Sequence, residues 1–398
     1  MRVLVIGGGL AGSLLAWRLA QRPGTAVEVR TGGAGAGRAD ATAASGGAVR
    51  AYDTLPEQRE LAIASLVELL GSPVLRAWAG YRETGFAYLR HRAAAPGADA
   101  ALAAELAEIE RALPGSADLT TPAEAFGASG ASGASGASGA SGASGASGAS
   151  GGHGSGADGP GWAGDGTRVV VRERRAGQTS PGGLRDAVLA DLAARPRAVL
   201  RDAPLDRLTA ATAREYDAVV LAAGAWTPAL LRASGLPAGG YRTRSIQYAV
   251  YDAGPVRPPA FTDEQTGLYG LPTADGGLLL GVPTREWDAP PGATSVTLSG
   301  PGQAADRPDQ TAPQPGQAAS RPDQAARLAA ECFPRLKLGD ARQRVAAADC
   351  YCDPPVLALR RVSGPVPRLF TFTGGSGGCA KSALAASQRA AGQLTEAA

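Results

Sequence analysis

The chain is poor in residues that build many catalytic and structural sites. It has 398 residues but only two histidines, His91 and His153, so neither a histidine-based metal site nor a Ser-His-Asp triad is expected. The four cysteines all lie in the last quarter, which is not the pattern of a disulfide framework and favours a reducing compartment. Basic charge comes almost entirely from arginine, because lysine occurs only as Lys337 and Lys381.

The sequence also lacks the signals of membrane insertion and of nucleic-acid binding. No segment approaches the roughly 20 apolar residues that span a bilayer. The apolar N-terminus is broken by three consecutive glycines and lacks a convincing signal-peptide cleavage site. The net charge is +3, and the arginines are scattered rather than clustered with aromatic residues. We therefore expect a monomeric cytoplasmic protein that binds neither membrane nor nucleic acid.

Two low-complexity stretches interrupt the globular pattern. Residues 127–151 are a near-perfect Gly-Ala-Ser triplet repeat, and glycine-rich sequence continues to about residue 166. Residues 299–324 are rich in Pro, Gln and Asp and contain the near-duplicates GQAADRPDQ and GQAASRPDQ. Such segments have too little apolar surface to offset the entropy lost on ordering. Both are predicted to be flexible surface insertions.

Outside these insertions, strand and helix patterns alternate. Buried strands are predicted at RVLVI, AVEVR, TRVVVRE and YDAVVL, and strand-like runs dominate residues 245–281. The predicted fold class is α/β, with a Rossmann-like nucleotide-binding domain interrupted by a strand-rich substrate domain. The predicted boundaries are 1–55, 165–235 and 325–398 for the first domain, 56–126 and 236–298 for the second, and 127–166 and 299–324 for the insertions.

A glycine pattern follows the first predicted strand and opens a helix. Gly7, Gly9 and Gly12 spell G-x-G-x-x-G, in which the first glycine forms the turn, the second admits a pyrophosphate and the third packs helix on strand. The fingerprint expects an acid at the end of the second strand, about 20 residues further on. Strand register places Arg30 there, with Glu28 one pleat back. Because an arginine in this neighbourhood can accommodate the 2′-phosphate of NADP, a nicotinamide cofactor stays an alternative at this point.

The segment DAVVLAAGAWTPALL, residues 217–231, ends a strand with small residues that let the backbone pass close to a cofactor, which makes Ala223, Gly224 and Trp226 candidate contacts. With ASGGAVR, ETGFAYL, LYGLPTADGGLLLGVP and a C-terminal glycine loop, in this order, the chain resembles the FAD-dependent family of D-amino-acid oxidase, glycine oxidase and monomeric sarcosine oxidase. The resemblance spans most of the chain outside the insertions. It implies an FAD-binding Rossmann-like domain whose extended cofactor meets a mixed-sheet substrate domain.

The resemblance also assigns roles to the C-terminal glycine loop. In the sarcosine-oxidase branch a Gly-x-Ser-Gly-x-x-x-Lys loop runs beside the flavin, and Gly374, Ser376, Gly377 and Lys381 match that spacing. The lysine of that loop helps to hold the substrate carboxylate, and its charge would favour the reduced anionic flavin. A surface lysine at a helix start is the alternative interpretation.

One further position matches the pattern of the sarcosine-oxidase branch, and two depart from it. Arg50 matches an arginine near the flavin ring, but Asp53 stands where a second arginine for the carboxylate is expected. An amine without an acid group and a tethered intermediate therefore both stay open as substrates. Leu279 occupies the position aligned with the oxygen-activating lysine, which leaves O2 or another molecule as the electron acceptor.

The cysteine pair of DCYCDPP lies where the same branch attaches FAD through a thioether. There the pattern is Cys-x-Tyr, and here it is Cys350-Tyr351-Cys352. Covalent FAD on Cys350 is one interpretation, and a pair of buried structural thiols is the other. A C-x-C pair alone is too little for a metal site.

The function that the resemblance implies is FAD-dependent oxidation of a C–N bond in an amine or amino acid. The neutral amine transfers a hydride to flavin N5 and becomes an imine. Tyr248 and Tyr251 are candidate substrate contacts and equally good sheet residues. Two alternatives stay open: an NADP-dependent oxidoreductase, and a non-catalytic flavin-binding subunit, the latter because of Arg30, Asp53 and Leu279 together.

Overall fold

The computed structural model of the chain describes residues 1–32, 40–91, 98–127, 159–163, 167–293, 295–298, 321–364, 366 and 368–396. The helices in these residues are α1 (Leu10–Ala20), α2 (Pro56–Gly71), α3 (Pro73–Ala79), α4 (Ala98–Ala112), α5 (Pro122–Phe126), α6 (Pro181–Ala193), α7 (Ala210–Arg214), α8 (Thr227–Ala233), α9 (Arg321–Cys332) and α10 (Cys379–Glu396). The strands are β1 (Arg2–Ile6), β2 (Ala26–Thr31), β3 (Ala48–Val49), β4 (Arg82–Glu83), β5 (Phe86–His91), β6 (Ala117–Thr120), β7 (Arg168–Glu173), β8 (Gly177–Gln178), β9 (Ala198–Asp202), β10 (Ala218–Leu221), β11 (Arg242–Ala253), β12 (Phe261–Asp263), β13 (Tyr269–Pro272), β14 (Gly277–Gly281), β15 (Ser295–Leu298), β16 (Leu338–Tyr351), β17 (Ala358–Arg361) and β18 (Leu369–Thr373). Short 3-10 turns cover Gly224–Trp226, Pro291–Ala293 and Ser376–Gly378.

The first sheet has six strands in the order β17–β18–β10–β1–β2–β9, and its strand pairs are parallel except for the edge pair β17–β18. Alternate residues of β1 enter two different cores: Val3 and Val5 pack with α1 and α10, and Leu4 and Ile6 pack with α8. A strand buried on both faces is the arrangement expected of a parallel sheet between helices. The carboxyl ends of β1, β2, β10 and β18 therefore share one edge, where doubly wound sheets bind their ligands.

The second sheet has nine strands in the order β15–β16–β11–β14–β13–β12–β5–β7–β6. It is mixed, because β12 and β5 are parallel and the other neighbours are antiparallel. The two longest strands, β11 and β16, lie side by side and place Arg244 opposite Asp349. A Rossmann-like sheet beside a mixed sheet confirms the fold class predicted from the sequence. A small third sheet, β3–β8–β4, accompanies them.

The domain boundaries stay a prediction, but strand pairing divides the chain differently in two places. Strands β7 and β16 belong to the nine-stranded sheet, although residues 165–235 and 325–398 were assigned to the nucleotide-binding domain. Helix α2, assigned to the substrate domain, packs instead on α10, where the Ala385 N–H donates to Ser65 Oγ at 3.0 Å. The physical reason is that a strand or helix pattern reports periodicity and not which sheet or helix it packs against.

Helices α2 and α3 meet at a bend of 103°. Pro73 begins α3, and Ser72 Oγ caps it by accepting from the Leu75 N–H at 3.2 Å. Among the residues described above, no single helix is long and apolar enough to cross a bilayer, and only this bent pair passes when its two helices are taken together.

The ends of both predicted insertions are packed, contrary to the prediction. Trp162 is 7% exposed, and its ring lies 5.7 Å from that of Phe126 and 5.4 Å from that of Phe333. Backbone bonds join the same region, from Gly161 N–H to Phe126 O and from Ala163 N–H to Cys332 O, both at 3.0 Å. The Trp162 indole supplies enough apolar surface to pack residues 159–163 against Phe126 and Phe333. Residues 321–324, assigned to the second insertion, form the first turn of α9, and 128–158, 164–166 and 299–320 lie outside the described residues.

Replacing residues 128–158 with two glycines is expected to leave the protein folded and able to bind its cofactor. The segments that flank this tract lie side by side, since the Cβ position of Gly159 is 3.2 Å from the Gly127 nitrogen. The aromatic contacts of Trp162 lie outside the deleted tract, so the melting temperature should stay within a few degrees of that of the full chain, on the order of a 1 kcal/mol change or less. Deleting 128–163 is the matched control, because it also removes Trp162 and should lower the melting temperature clearly. Equal melting temperatures for the two deletions would contradict the anchoring role of Trp162.

Candidate active site

A cavity of about 1230 Å³ lies between the carboxyl edge of the six-stranded sheet and the face of the nine-stranded sheet. It begins at the turn after β1 and ends against β11, β14 and β16. Of the residues predicted to bind the cofactor or to act in catalysis, all but one line it: Gly7, Gly9, Arg30, Arg50, Ala223, Gly224, Trp226, Cys350, Gly374, Ser376, Gly377 and Lys381. The exception, Gly12, lies below the turn. The fold thus brings the two ends of the chain to one cavity, whereas the roles of these residues stay predictions.

The turn after β1 requires glycine for steric reasons. Gly7 has φ +119°, and a Cβ there would lie 2.3 Å from the Ala222 carbonyl oxygen. A Cβ on Gly12 would lie 2.0 Å from the Gly7 carbonyl oxygen, so the helix could not pack this closely on the turn. Gly9 is the N-cap of α1 and has no side chain to cap the helix. The first turn of α1 therefore faces the cavity with backbone N–H groups, which suits an anion such as a pyrophosphate.

Arg30 lies at the end of β2, where the fingerprint expects an acid. Its Nε is 3.0 Å from Glu28 Oε1, which is also 3.2 Å from Arg201 Nε. Burial opposes ionisation of Glu28, but hydrogen bonds from Tyr216 and Arg30 and the charge of Arg201 hold its pKa below the usual value. Glu28 is not among the residues that line the cavity, and its carboxylate is held by Arg30, Arg201 and Tyr216.

Two further turns border the cavity with backbone. Strand β10 ends at Leu221, and the chain then makes the 3-10 turn Gly224–Trp226, in which Gly224 has φ +52°. After β18, Gly374 has φ +90°, and a Cβ there would lie 2.5 Å from Cys352 Sγ. A cofactor can approach the backbone closely at both turns, because glycine and small side chains leave the space open.

Four charged side chains gather under the C-terminal glycine loop. Lys381, in the first turn of α10, is 8% exposed, and its Nζ donates a short hydrogen bond to Asp53 Oδ2. Arg50 Nη2 lies 3.9 Å from the same oxygen, and Arg50 Nη1 donates to the Tyr52 carbonyl. Glu173, at the end of β7, is fully buried and accepts from the Ala51 and Tyr52 N–H groups at 2.6 and 3.0 Å. Asp53, which replaces the expected second arginine, is thus the counter-ion of Lys381.

The pKa values in this cluster move in different directions. Burial and the nearby charge of Arg50 lower the pKa of Lys381 to about 8, although Asp53 opposes the shift. Burial opposes ionisation of Asp53, but Lys381 and Arg50 together hold its pKa below the usual value. Burial raises the pKa of Glu173 despite Arg50 and its two N–H donors. At neutral pH Lys381 and Asp53 are therefore both in their charged forms.

Cys350 and Cys352 lie in different environments. Cys350 is 6% exposed and belongs to an apolar cluster with Leu221 and Leu369, and burial raises the pKa of its thiol to about 11. Cys352 Sγ donates to the Gly374 and Pro354 carbonyls at 3.4 and 3.0 Å. A thiol with a raised pKa is a poor nucleophile, because the thiolate is the reactive form. All four cysteines are free.

The strand that carries Cys350 also presents a residue that the sequence analysis missed. On β16, side chains alternate between faces, so Asp349 and Tyr351 project from the face opposite to Cys350. Asp349 lines the cavity, and burial raises its pKa to about 7. The sequence contains the signal for this arrangement, because side chains in a strand with the sequence VAAADCYC alternate between the two faces of the sheet. Cys350 therefore lies on one face, and its neighbours Asp349 and Tyr351 lie on the other.

Three other predicted positions differ in where their side chains point. Tyr248 lines the cavity and donates its hydroxyl proton to the Ala44 carbonyl at 2.7 Å. Tyr251 does not line it, because its hydroxyl donates to Pro322 O at 2.9 Å on the other face of β11. Leu279 of β14 lines the cavity, and its Cδ1 lies 3.2 Å from the Cβ position of Gly46. The wall at this position is therefore apolar.

The sequence profile of the DAO family, described as FAD dependent oxidoreductase, matches residues 2–393. The match confirms the family that the motifs indicated, and NADP is not favoured as the cofactor. Among curated proteins, none matches the chain by sequence.

Solved structures of similar fold share little sequence with the chain. L-proline dehydrogenase from P. horikoshii has 16% identity and a TM-score of 0.66, covering 100% of this chain and 93% of that one. Glycine oxidase from Geobacillus kaustophilus has 16% identity and a TM-score of 0.63, covering 100% and 95%. L-amino acid deaminase from Proteus myxofaciens has 15% identity and a TM-score of 0.64, covering 99% and 90%. The overall fold is therefore common to these proteins and to this chain.

FAD fits the residues at the carboxyl edge of the six-stranded sheet. A Cβ on Gly7 or Gly12 would overlap backbone atoms, and the first turn of α1 opens into the cavity. A single cavity extends from this turn past Ala223 to Gly377. These features accompany a profile match over nearly the whole length. The chain belongs to the DAO family of FAD-dependent oxidoreductases.

Proposed function

We propose that the protein oxidises a C–N bond of an amine or amino acid with FAD. The observation that supports this most is the continuity of the cavity, which joins the phosphate-binding turn after β1 to the face of the nine-stranded sheet that carries Tyr248 and Asp349. FAD, when bound, supplies the hydride acceptor for the oxidation of the substrate. Relatives of the same fold include an L-proline dehydrogenase, a glycine oxidase and an L-amino acid deaminase. O2 or another molecule as the acceptor, the monomeric state and the cytoplasmic location stay predictions.

The protein's own residues would hold the cofactor along its length. The backbone of the turn Gly7–Gly9 and the first turn of α1 would hold the pyrophosphate, and Arg30, which lines the cavity at the end of β2, would bind the ribose end of the cofactor. The turns at Gly224 and Gly374 allow backbone contact along the rest of the cofactor. Arg50 and Lys381 place two positive charges and one counter-charge at the far end of the cavity, which favours an anionic cofactor over a neutral one.

The cluster at Lys381 argues for substrates that do not depend on a carboxylate. In this protein Lys381 is bonded to Asp53, and Arg50 is bonded to the Tyr52 carbonyl. A substrate carboxylate could bind the Lys381 ammonium group only by displacing Asp53, whose carboxylate already accepts a hydrogen bond from it. Because desolvating a second anion there has a high free-energy cost, we propose an amine as the substrate and an amino acid as the less favoured case.

Anaerobic reduction of the bound flavin tests this function directly. The purified protein should be yellow, and its visible absorbance band should bleach with amines such as ethylamine or phenethylamine faster than with their carboxylated counterparts alanine and phenylalanine. Reduction by dithionite shows that the flavin is competent. A yellow protein that dithionite reduces but that none of a broad panel of amines and amino acids reduces would overturn the proposal.

FAD is expected to be released when the protein is precipitated with acid. With a thiol pKa of about 11, only on the order of one Cys350 in ten thousand is a thiolate at pH 7, and its side chain packs among leucines. The flavin should therefore appear in the supernatant for both the wild type and Cys350→Ala. Flavin that stays with the precipitate in the wild type but not in Cys350→Ala would establish the covalent alternative.

A further inference from the structure

Asp349 differs from the other carboxylates that line the cavity. Four of those are ion-paired and one is exposed at the surface: Asp40, Asp186, Asp263 and Glu264 pair with arginines, and Asp206 is exposed. Among the described residues, Asp349 has neither an ion pair nor a hydrogen bond from its side chain, although its Oδ2 lies 3.2 Å from the Cβ position of Gly377. Its carboxylate is therefore held against the C-terminal glycine loop without a partner of its own.

The cationic side chain opposite Asp349 on the neighbouring strand is directed elsewhere. Arg244 is the cross-strand neighbour of Asp349, but its guanidinium donates to the Thr284 carbonyl and lies over the ring of Trp287 at 5.1 Å. Four titratable groups around Asp349 are neutral at pH 7, because burial raises the pKa of each: Tyr269 of β13, Tyr351 and Cys350 of β16, and Cys379 of α10. Lys381 lines the same cavity and lies against Gly378, but its ammonium group is bonded to Asp53, and burial lowers its pKa to about 8.

Asp349 is partly exposed to the cavity, and an ionised carboxylate shielded from bulk water is costly unless it takes up a proton or a cation binds it. Among the described residues no cation pairs with the Asp349 carboxylate, whereas Lys381, which lines the same cavity, is paired with Asp53. Burial raises the pKa of Asp349 to about 7, which is the range in which a group can both take up and release a proton at neutral pH. A cationic ligand in the cavity can supply the partner that the protein does not.

We propose that Asp349 binds the ammonium group of the substrate and removes one proton from it. An N–H bond of the ammonium breaks, an O–H bond forms on Asp349, and the electron pair stays on nitrogen. The neutral amine can then form the C=N bond as its α-hydrogen leaves with two electrons as hydride. The place of this step in catalysis rests on the proposed function, whereas the binding of a cation at Asp349 does not. The substrate class is thus a protonated aliphatic amine, whose pKa resembles that of lysine, about 10.4.

Binding of tetramethylammonium, which is permanently charged and carries no N–H, tests the recognition of charge apart from turnover. Calorimetric titration of the holoenzyme should show binding at about pH 8.5 and a loss of affinity that approaches tenfold per unit as the pH falls below about 7, because protonation removes the anion. The neutral isostere tert-butanol should bind weakly and without pH dependence. Asp349→Asn should weaken binding of the cation at least about tenfold and abolish its pH dependence.

Asp252→Asn is the matched control, because Asp252 lies on β11 of the same sheet, is half-exposed and pairs with Arg342 outside the cavity. It should leave binding of the cation unchanged. Equal affinity and equal pH dependence in the wild type and Asp349→Asn would overturn the proposal, and so would a wild-type affinity that does not change between about pH 5.5 and about pH 8.5. The second measurement can overturn the proposal even if Asp349→Asn does not fold, whereas loss of the dependence in Asp349→Asn separates it from the titration of Lys381.

The removal of the proton has its own measurement. In Asp349→Asn, the rate of anaerobic flavin reduction by ethylamine should lose the inflection near pH 7 that the wild type shows, and only the titration of the free amine should remain. An unchanged inflection would show that Asp349 binds the cation without taking its proton, and would overturn that half of the proposal. A holoenzyme that binds tetramethylammonium through Asp349 but is reduced by no amine would contradict the proposed function and leave the cation site standing.

Discussion

Asp53→Asn is expected to destabilise the protein by about 3–5 kcal/mol at pH 7, since it leaves a buried lysine without its counter-ion. The Lys381 ammonium is 8% exposed and bonds Asp53, and Arg50 lies 3.9 Å from the same carboxylate oxygen. Without the aspartate the two cations face each other in a site from which water is largely excluded. The pKa of Lys381, already lowered to about 8, should fall further. Urea unfolding of the holoenzyme measures the free-energy change.

A double-mutant cycle separates this pair from a general loss of packing. Lys381→Met alone strands Asp53 beside Arg50 and should also destabilise, whereas Asp53→Asn combined with Lys381→Met removes both charges. The double variant should be more stable than the sum of the single effects predicts, with an interaction energy of about 2–3 kcal/mol. Additive effects would show that the ion pair contributes nothing. The exposed Asp340 provides the control, since Asp340→Asn should change stability by less than about 0.5 kcal/mol.

The effect of Asp53→Asn should also depend on pH in a defined direction. The folded-state pKa of Asp53 lies below its unfolded value of 3.8, so the folded protein binds this proton less tightly than the unfolded chain does. The stabilisation is present above the unfolded value and is lost as the pH falls through the folded-state pKa. The wild type and Asp53→Asn should therefore converge in stability toward low pH.

Gly12→Ala is expected to weaken FAD binding by about 100-fold, which corresponds to about 3 kcal/mol of overpacking at the turn. A Cβ at this position would lie 2.0 Å from the Gly7 carbonyl oxygen and 3.1 Å from Ala222 Cβ. Gly7 belongs to the turn after β1, and Ala222 directly follows β10. Relief of the clash must therefore move the first turn of α1 away from the cavity. The variant should purify with little flavin, as the ratio of visible to ultraviolet absorbance will show.

Gly182→Ala is the matched control, because a Cβ there meets no atom within 4 Å and the residue lies in the first turn of α6. It should bind FAD as the wild type does. Full flavin content in Gly12→Ala would mean that the turn can shift without losing the cofactor, and the steric argument would fail. A colourless Gly12→Ala that retains its far-ultraviolet circular dichroism would support it.

The parts of the fold that the sequence predicted are those encoded by short-range pattern. Gly7, Gly9 and Gly12 lie within six residues, so a local steric requirement appears directly as spacing. The bond between Asp53 and Lys381 joins residues 328 positions apart, and no local pattern reports it. The sequence shows that an aspartate, Asp53, replaces the expected arginine. Only the folded chain shows that the Asp53 carboxylate is the counter-ion of Lys381.

Two further differences have the same origin. The motif DCYC points to Cys350 as the residue near the flavin, but alternation along a strand directs the side chains of Asp349 and Cys350 to opposite faces. Trp162 was assigned to a flexible stretch because composition is averaged over many residues, whereas one indole packed on Phe126 and Phe333 fixes its neighbours. Pattern-based inference therefore fails where a single side chain outweighs its surroundings.

The clasp formed by Phe126, Trp162 and Phe333 also bears on how the neighbouring repeat can change in length. The clasp holds the flanks of the tract together independently of what connects them, and doubling the length of a connecting segment costs only about 0.6 kcal/mol of closure entropy. Gains or losses of whole Gly-Ala-Ser units would thus be almost invisible to selection for stability. Residues 128–158 are therefore a site at which a reporter peptide, or a small domain whose termini lie close together, can be inserted without disturbing the flavin site.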